Sequence, residues 1–342
     1  MESGQLAECA GGESSMMSAE FLHRAVMFEE VMGVFTPLEA GVIVDGTLGA
    51  GGHSQGLLER GPQRRVLGLD RDPSAVEAAS GRLSRYSERF IALHKEFDDL
   101  DGALAQACQS DNRFCGSPVG LLLDLGVSSP QLERGERGFS YRLEGPLDMR
   151  MDPTRGQTLA EVLDQVDLDE LTSLLRMNGE PRFAYRIAKA IMAGMPYSST
   201  TQLAEVVKSA IPAAARRTGG HPATRVFQAL RIKVNNELEK LETALGKAFK
   251  SLLPGGRIAV LSYHSGEDSI VKALFREQVT GGCTCPSRYG CICGAEPKAS
   301  YVIRSRAPSA VEIEENPRAR SARLRAIEIL EGNDSLDGAG NG

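Results

Sequence analysis

The sequence predicts an α/β protein, a doubly wound parallel sheet with crossover helices, interrupted by one inserted all-helical domain. Three observations carry this. Short apolar runs, Val42 to Asp45, Val66 to Asp70, Phe90 to Leu93 and Val119 to Leu123, alternate with helix-period segments through the first half. From about Thr158 to Lys233 the strand signal vanishes, and Ala- and Leu-rich helical pieces are broken by Pro181, Pro196, Pro212 and Gly219-Gly220. Strand alternation then resumes over Arg257 to Tyr263, so the sheet is discontinuous in sequence.

The elements follow from local chemistry. Asp72 caps a helix whose first position is Pro73 and whose Val76, Ala79 and Leu83 share a face. Asn236 and Glu239 form a capping pair ahead of Leu238, Leu241, Leu245, Phe249 and Leu252, a stripe that ends at Pro254-Gly255-Gly256. Residues 1–20 and 329–342 lack periodicity and read as disordered tails. Between them the sequence divides into a first core part at 21–140, a helical insertion at 141–233 and a second core part at 234–328.

Composition excludes several classes. The 342 residues are 42% hydrophobic, enough for a sizeable core, yet no stretch approaches the ~20 apolar residues of a membrane span. Glu2, Glu8, Glu13 and Glu20 precede the first basic residue, Arg24, which fits neither a secretory signal nor a transit peptide, and a cytoplasmic protein is expected. Net charge is -6 but unevenly spread: residues 1–175 carry -14, residues 176–233 carry +8 and residues 298–325 carry +4. Two basic stretches on an acidic body suit a phosphate-bearing partner, against solvated helix faces as the plain alternative.

Seven cysteines include Cys9, Cys108 and Cys115 with no evident partners, so a disulfide framework is not expected. Cys283, Cys285, Cys291 and Cys293 form C-x-C-x₅-C-x-C within residues 281–294. Four such thiols make structural zinc a candidate, but the departure from C-x₂-C spacing favours a reduced, metal-free loop, and no metal is assigned.

The sharpest motif is Val42-Ile43-Val44-Asp45-Gly46-Thr47-Leu48-Gly49-Ala50-Gly51-Gly52-His53-Ser54, a strand, a Gly-dense turn and a helix start. Such a turn lets a ligand approach backbone, and Asp70 at the end of the next strand can accept both hydroxyls of a ribose. A nicotinamide dinucleotide is disfavoured: Asp45 would repel a pyrophosphate but suits a ligand bearing an ammonium, and Ser54 stands where the third glycine of Gly-x-Gly-x-x-Gly belongs. A third strand ends in Asp124 and enters a polar loop. These features favour S-adenosylmethionine and a methyltransferase.

Leu123-Asp124-Leu125-Gly126-Val127-Ser128-Ser129-Pro130-Gln131-Leu132, Arg137-Gly138-Phe139-Ser140, Gly145 to Asp152, His221 to Arg225, Phe227 to Ile232 and Glu315 to Ser321 closely resemble the bacterial ribosomal small-subunit RNA methyltransferase H family, in order over residues 21–328. The resemblance implies a Rossmann-like S-adenosylmethionine-dependent methyltransferase sheet with a helical insertion. It implies methylation of N4 of a single cytosine, position 1402, in the decoding region of 16S rRNA within the small ribosomal subunit. It also implies that Gly51, Gly52 and His53 line the methionine and ribose end, that Asp70 holds the ribose, that Phe97 packs on the adenine, and that Asp124 and Gln131 complete the pocket. His53 as a helix-start hydrogen bonder, Phe97 as plain core and Asp124 as a turn cap are the alternatives. Gly266 replaces the family's usual Leu after His264-Ser265, a change expected to loosen that loop, and Pro181 and Tyr185 replace more polar residues.

Cytosine N4 is a poor nucleophile, so the enzyme must place it in line with the methyl group and accept its N–H. No Asn/Asp-Pro-Pro-Tyr string is present. Asp124, Ser128 and Ser129 are the candidates at the equivalent strand end. Arg182, Arg186, Lys189, Arg216, Arg217, His221 and Arg225 are the candidates for RNA contact, and Phe139 or Tyr141 either stacks on the base or serves as core or hinge. The rival readings are a nicotinamide oxidoreductase, a DNA amino-methyltransferase and a non-enzymatic small-subunit assembly factor; monomer and homodimer both remain open.

Overall fold

The computed structural model describes residues 25–217, 221–285 and 292–331, without the Arg217 side chain. In chain order the helices are α1 Phe28–Phe35, α2 Gly52–Arg60, α3 Pro73–Arg82, α4 Leu100–Ser110, α5 Ser129–Glu133, α6 Leu159–Gln165, α7 Leu168–Asn178, α8 Ala184–Gly194, α9 Thr200–Ala210, α10 Ala223–Asn235, α11 Glu237–Ser251, α12 Ser265–Thr280 and α13 Ala310–Glu315. The strands are β1 Ala40–Asp45, β2 Gln63–Asp70, β3 Phe90–His94, β4 Gly120–Asp124, β5 Arg257–Ser262, β6 Ala299–Arg306 and β7 Arg323–Ile329.

The strands form one sheet in the order β3-β2-β1-β4-β5-β7-β6. β1 to β5 are parallel, whereas β7 runs antiparallel to β5 and β6 antiparallel to β7. The strands expected to be parallel are parallel, and the antiparallel β6 and β7 are an edge that the sequence reading did not include. Alternate residues of the inner strands feed two cores, as a sheet covered on both faces requires. Val42, Val44, Leu121, Leu123, Ile258 and Val260 pack towards α4, α11 and α12. Ile43, Val66, Leu122, Ala259 and Leu261 pack towards α1, α2 and α3.

A separate cluster runs from Leu147 to Leu230 and is built from α6 to α10. It is inserted between β4 and β5, while α11 returns to the sheet. The two helices meet at Asn236, which adopts φ +53°. Its side chain donates to Glu239 Oε2 at 2.7 Å and caps no backbone N–H, so the expected capping pair is a side-chain contact at a left-handed junction. Asp72 caps α3 as expected, accepting from Ser74 N–H at 3.0 Å.

Other expectations are corrected too. Cys108 and Cys115 form a disulfide, because the end of α4 and the turn after it bring their Cα atoms to 4.4 Å. Ile329 belongs to β7 and its N–H bonds Gly256 C=O at 2.8 Å, so the sheet extends into the segment read as tail. Gly266 lies in the first turn of α12, behind the cap residue His264, and not in a loop. Residues 1–20 and Cys291 fall outside the described residues. Among the described residues no helix is long and apolar enough to cross a membrane.

Candidate functional site

Acidic residues end three adjacent strands at the carboxyl edge of the sheet: Asp45 on β1, Asp70 on β2 and Asp124 on β4. The chain order reverses between β1 and β4, and α/β sheets take ligands in the crevice outside such a reversal. Gly49 and Gly51 hold φ of +50° and +77° above this edge. Side chains rarely adopt those angles, which is the reason for glycine here. The turn is fixed by Leu48 N–H to Leu69 C=O at 2.9 Å and Gly51 N–H to Leu48 C=O at 2.8 Å. Gly52 opens α2 so close to Ala25 that a Cβ would sit 3.3 Å from the Ala25 Cβ. A Cβ on Gly46 would lie 2.6 Å from Leu123 Cδ2 and 2.9 Å from Phe97 Cβ, so Phe97 abuts bare backbone. Phe97 is buried in the core, with the Arg71 guanidinium 5.9 Å from its ring centre.

Asp70 accepts one backbone N–H on each oxygen, from Gly49 at 2.8 Å and from Asp72 at 2.9 Å. Burial pushes its carboxyl above the usual range, and these two bonds oppose the shift. A carboxylate oxygen carries two lone pairs, so each retains one for a hydroxyl. Asp45 is turned inward: Ser54 Oγ donates to it at 2.6 Å and Thr47 N–H at 3.2 Å. Burial pushes its carboxyl up to about 6. The Ser54 that breaks the dinucleotide fingerprint is thus the partner of the acid on β1.

Asp124 joins groups from three elements. Tyr263 O–H donates to its Oδ1 at 2.7 Å, and His53 Nδ1 lies 3.6 Å from its Oδ2. Its own N–H donates to Thr47 Oγ1 at 2.6 Å. Burial is the main cause that raises its carboxyl to about 7. The His53 Nε2 lies 3.1 Å from the Val26 carbonyl, which can only accept, so that nitrogen carries the proton. Burial lowers the imidazole pKa, and Nδ1 is the ring nitrogen on the Asp124 side.

Gln131 is 5% exposed and spends both ends of its amide within the protein. Its oxygen accepts Ser128 N–H at 3.0 Å and its nitrogen donates to Asp72 Oδ2 at 3.1 Å. Ser128 and Ser129 are half-buried at the start of α5, in the loop that follows Asp124. Asp72 also receives Arg137 at 2.7 Å. Arg137 donates in turn to Met151 C=O at 2.8 Å; Met151 N–H donates to Asn235 Oδ1 at 2.8 Å; and Arg71 donates to Asn235 C=O at 3.1 Å. Because Arg71 and Asp72 are neighbours, these bonds close a ring beside Asp70. Tyr263, Arg137, Asn235 and Arg71 were missed by sequence reasoning. Only Tyr263, at the end of a strand on the same edge, carried a signal that could have exposed it.

The basic candidates divide. Arg182, Arg186 and Lys189 are exposed around the start of α8, Arg182 lying over the Phe183 ring at 5.0 Å. Arg225 pairs with Glu180 at 3.3 Å and Arg216 is half-buried. His221 stacks on Tyr141 at 4.6 Å and accepts Ala223 N–H at 3.2 Å, so it is a packing residue at the head of α10. Of the other cations in this stretch, Lys208, Arg231 and Lys233 pair with Glu205, Glu237 and Glu170. Phe139 is buried and Tyr141 is sandwiched against His221 and Phe227, so neither is an open stacking platform.

The sequence model of the MraW methylase family matches residues 20–330. The chain belongs to that family. Proteins named ribosomal RNA small subunit methyltransferase H are 45% identical over 316 residues in Heliobacterium modesticaldum, covering 91% of this chain and 99% of that one. One from Trichlorobacter lovleyi is 47% identical over 317 residues, with 91% and 99% covered. One from Mycobacterium tuberculosis is 48% identical over 294 residues, with 85% and 73% covered. The family match spans the sheet, the Gly-rich turn and the helical unit together.

Two outcomes follow for this MraW-family site. Replacing Arg137 by Met strands the buried Asp72 carboxylate and should cost about 3–5 kcal/mol in urea unfolding. Adding Asp72→Asn removes that charge, keeps a capping side chain, and should recover most of the loss. Asp124 has a folded pKa of about 7 against an ordinary 3.8, so its protonated form is favoured by folding. Its contribution to stability is therefore lost as pH rises from about 4 to 7. Asp124→Asn should match the parent near pH 4 and exceed it at pH 8 by roughly 2–4 kcal/mol, read from unfolding midpoints across pH.

Proposed function

We propose that the chain transfers a methyl group from S-adenosylmethionine to N4 of one cytosine in the decoding region of 16S rRNA. The observation that supports this best is the pairing of the Gly49 to Gly51 turn with Asp70 in a member of the MraW methylase family. The residues present fit the cofactor: the turn exposes backbone without Cβ atoms, and Asp70 keeps one acceptor position on each oxygen. Bound here, S-adenosylmethionine supplies a methyl group already activated by its sulfonium.

The rest falls to the chain. Gly51, Gly52 and His53 line the methionine and ribose end, Asp70 accepts the ribose hydroxyls, and Phe97 closes the adenine end. Gln131 holds the loop that carries Ser128 and Ser129. The amine lone pair is delocalised into the cytosine ring, so nitrogen must rehybridise while its N–H is held. Asp124, Ser128 and Ser129 supply acceptors in one short segment at the switch point. With its carboxyl near 7, Asp124 takes up or releases a proton at little cost at neutral pH. The base must leave its stack to reach this edge, as in other enzymes that act on bases. Arg182, Arg186 and Lys189 serve RNA phosphates.

The test is transfer of labelled methyl to small subunits lacking the modification, with large subunits, naked rRNA and DNA as parallel acceptors. Label on N4 of one small-subunit cytosine is expected. Cofactor binding without label on any acceptor would instead favour the assembly-factor reading. For the basic face, replacing Arg182, Arg186 and Lys189 together by Ala should weaken RNA binding and flatten the plot of log affinity against log salt by about 2. Cofactor affinity should stay unchanged, and an unaltered salt slope would remove α8 from the interface.

A further inference from the structure

Away from the carboxyl edge, between α12 and β6, the Sγ atoms of Cys283, Cys285 and Cys293 lie within 4.8 Å of one another. We propose that these three thiols hold a structural zinc ion, a site independent of the methyl-transfer chemistry.

The argument is geometric. Tetrahedral zinc with bonds of about 2.3 Å holds its sulfurs about 3.8 Å apart, so these thiols reach ligand spacing by moving less than about 1 Å each. They converge because both ends of the segment are anchored to α12. That helix stops at Gly281, φ +61°, followed by Gly282 at φ +77°, and Gly282 N–H bonds Glu277 C=O at 2.9 Å. Cys283 N–H bonds Thr280 C=O at 3.1 Å. The returning strand is tied to the same helix, Lys298 N–H to Gln278 C=O at 2.8 Å, and passes so close that a Cβ on Gly281 would fall 2.2 Å from Glu296 O. Gly294, φ +69°, turns the chain directly after Cys293. Nine residues separate Cys283 from Cys293 in sequence, and the anchors bring them face to face before any ion binds.

The chemistry fits a soft divalent ion. Thiolate ligands select zinc over magnesium or calcium, whose partners are oxygens. On binding, each coordinating thiol gives its proton to solvent and forms one zinc–sulfur bond, with no change of oxidation state. Cys108 and Cys115 are committed to their disulfide and lie outside the cluster. The ion would close the segment joining α12 to β6 and fix the start of the outermost strand.

The untagged full chain, purified under reducing conditions and dialysed, should carry about one zinc per molecule by elemental analysis. Cobalt in its place should give the near-ultraviolet band of thiolate-to-cobalt charge transfer. Single Cys283→Ser, Cys285→Ser and Cys293→Ser variants should each bind zinc at least about 10-fold more weakly, the scale of loss that changes behind a ligand already cause. Circular dichroism identifies any variant that fails to fold, and the cobalt spectrum of the unaltered chain tests the site without mutation. A folded, reduced chain that binds no zinc and gives no cobalt–thiolate band would overturn the proposal. So would folded variants that retain full zinc affinity.

Discussion

The buried ion pair between Asp72 and Arg137 is the contact on which the arrangement of this molecule turns. Asp72 is 5% exposed in its side chain and Arg137 14%, so water does little to screen either charge. Through it one carboxylate caps α3, receives Gln131 from α5, and receives Arg137 from the segment that leads into the helical unit. Arg71, one residue earlier, holds Asn235 at the place where the chain leaves that unit. The entry and the exit of the insertion are thereby both fastened to the two residues that follow Asp70. A buried pair of this kind adds little net stability over an apolar substitute, but it is demanding of geometry. That demand sets the helical unit over the carboxyl edge of the sheet.

The same edge concentrates unfavourable electrostatics. Asp45 and Asp124 end neighbouring strands, and burial raises both carboxyls, to about 6 and about 7. A sheet built for stability alone would place apolar residues there. The local hydrogen bonds from Ser54, Thr47 and Tyr263 offset part of the cost without removing it. Strain of this type gathers at binding and catalytic sites because polar groups held dry interact strongly with whatever ligand arrives.

Much of this was legible in the sequence, for identifiable reasons. Strands β1 to β5 announced themselves because strands covered on both faces are nearly continuous in apolar residues. β6 and β7 escaped because Arg304, Arg306, Arg323 and Arg325 interrupt them. Arg325 nevertheless lies buried, paired with Asp268 at 2.8 Å, a compensation no local pattern displays. Asp70 and the glycines were readable because their roles are set by neighbours in sequence. Arg137 and Asn235 were not, since their partners lie 65 and 164 residues away. The cysteines separate on the same principle. The pair at 108 and 115 closes only because a helix ends between them, whereas the cluster after α12 was visible as spacing and needed the anchors at Gly281 and Lys298 to acquire a shape.

Charge shows the limit of composition most clearly. The helical stretch carries +8 in sequence, which reads as a broad cationic face. In the fold, Lys208, Arg225, Arg231 and Lys233 face carboxylates, two of them, Glu170 and Glu237, lying outside the counted stretch. Among the described side chains of this stretch, Arg176 is also exposed, and Arg182, Arg186 and Lys189 form a compact group at and just before α8. A compact group defines a direction as well as a sign. Since the helical unit is fastened through Arg71 and Asp72, a phosphate chain seated on α8, as proposed above, would stand in fixed register with Asp70 and Asp124. The ring of bonds about Asp72 thus relates the position of a long polyanion to the place where a single base would be held.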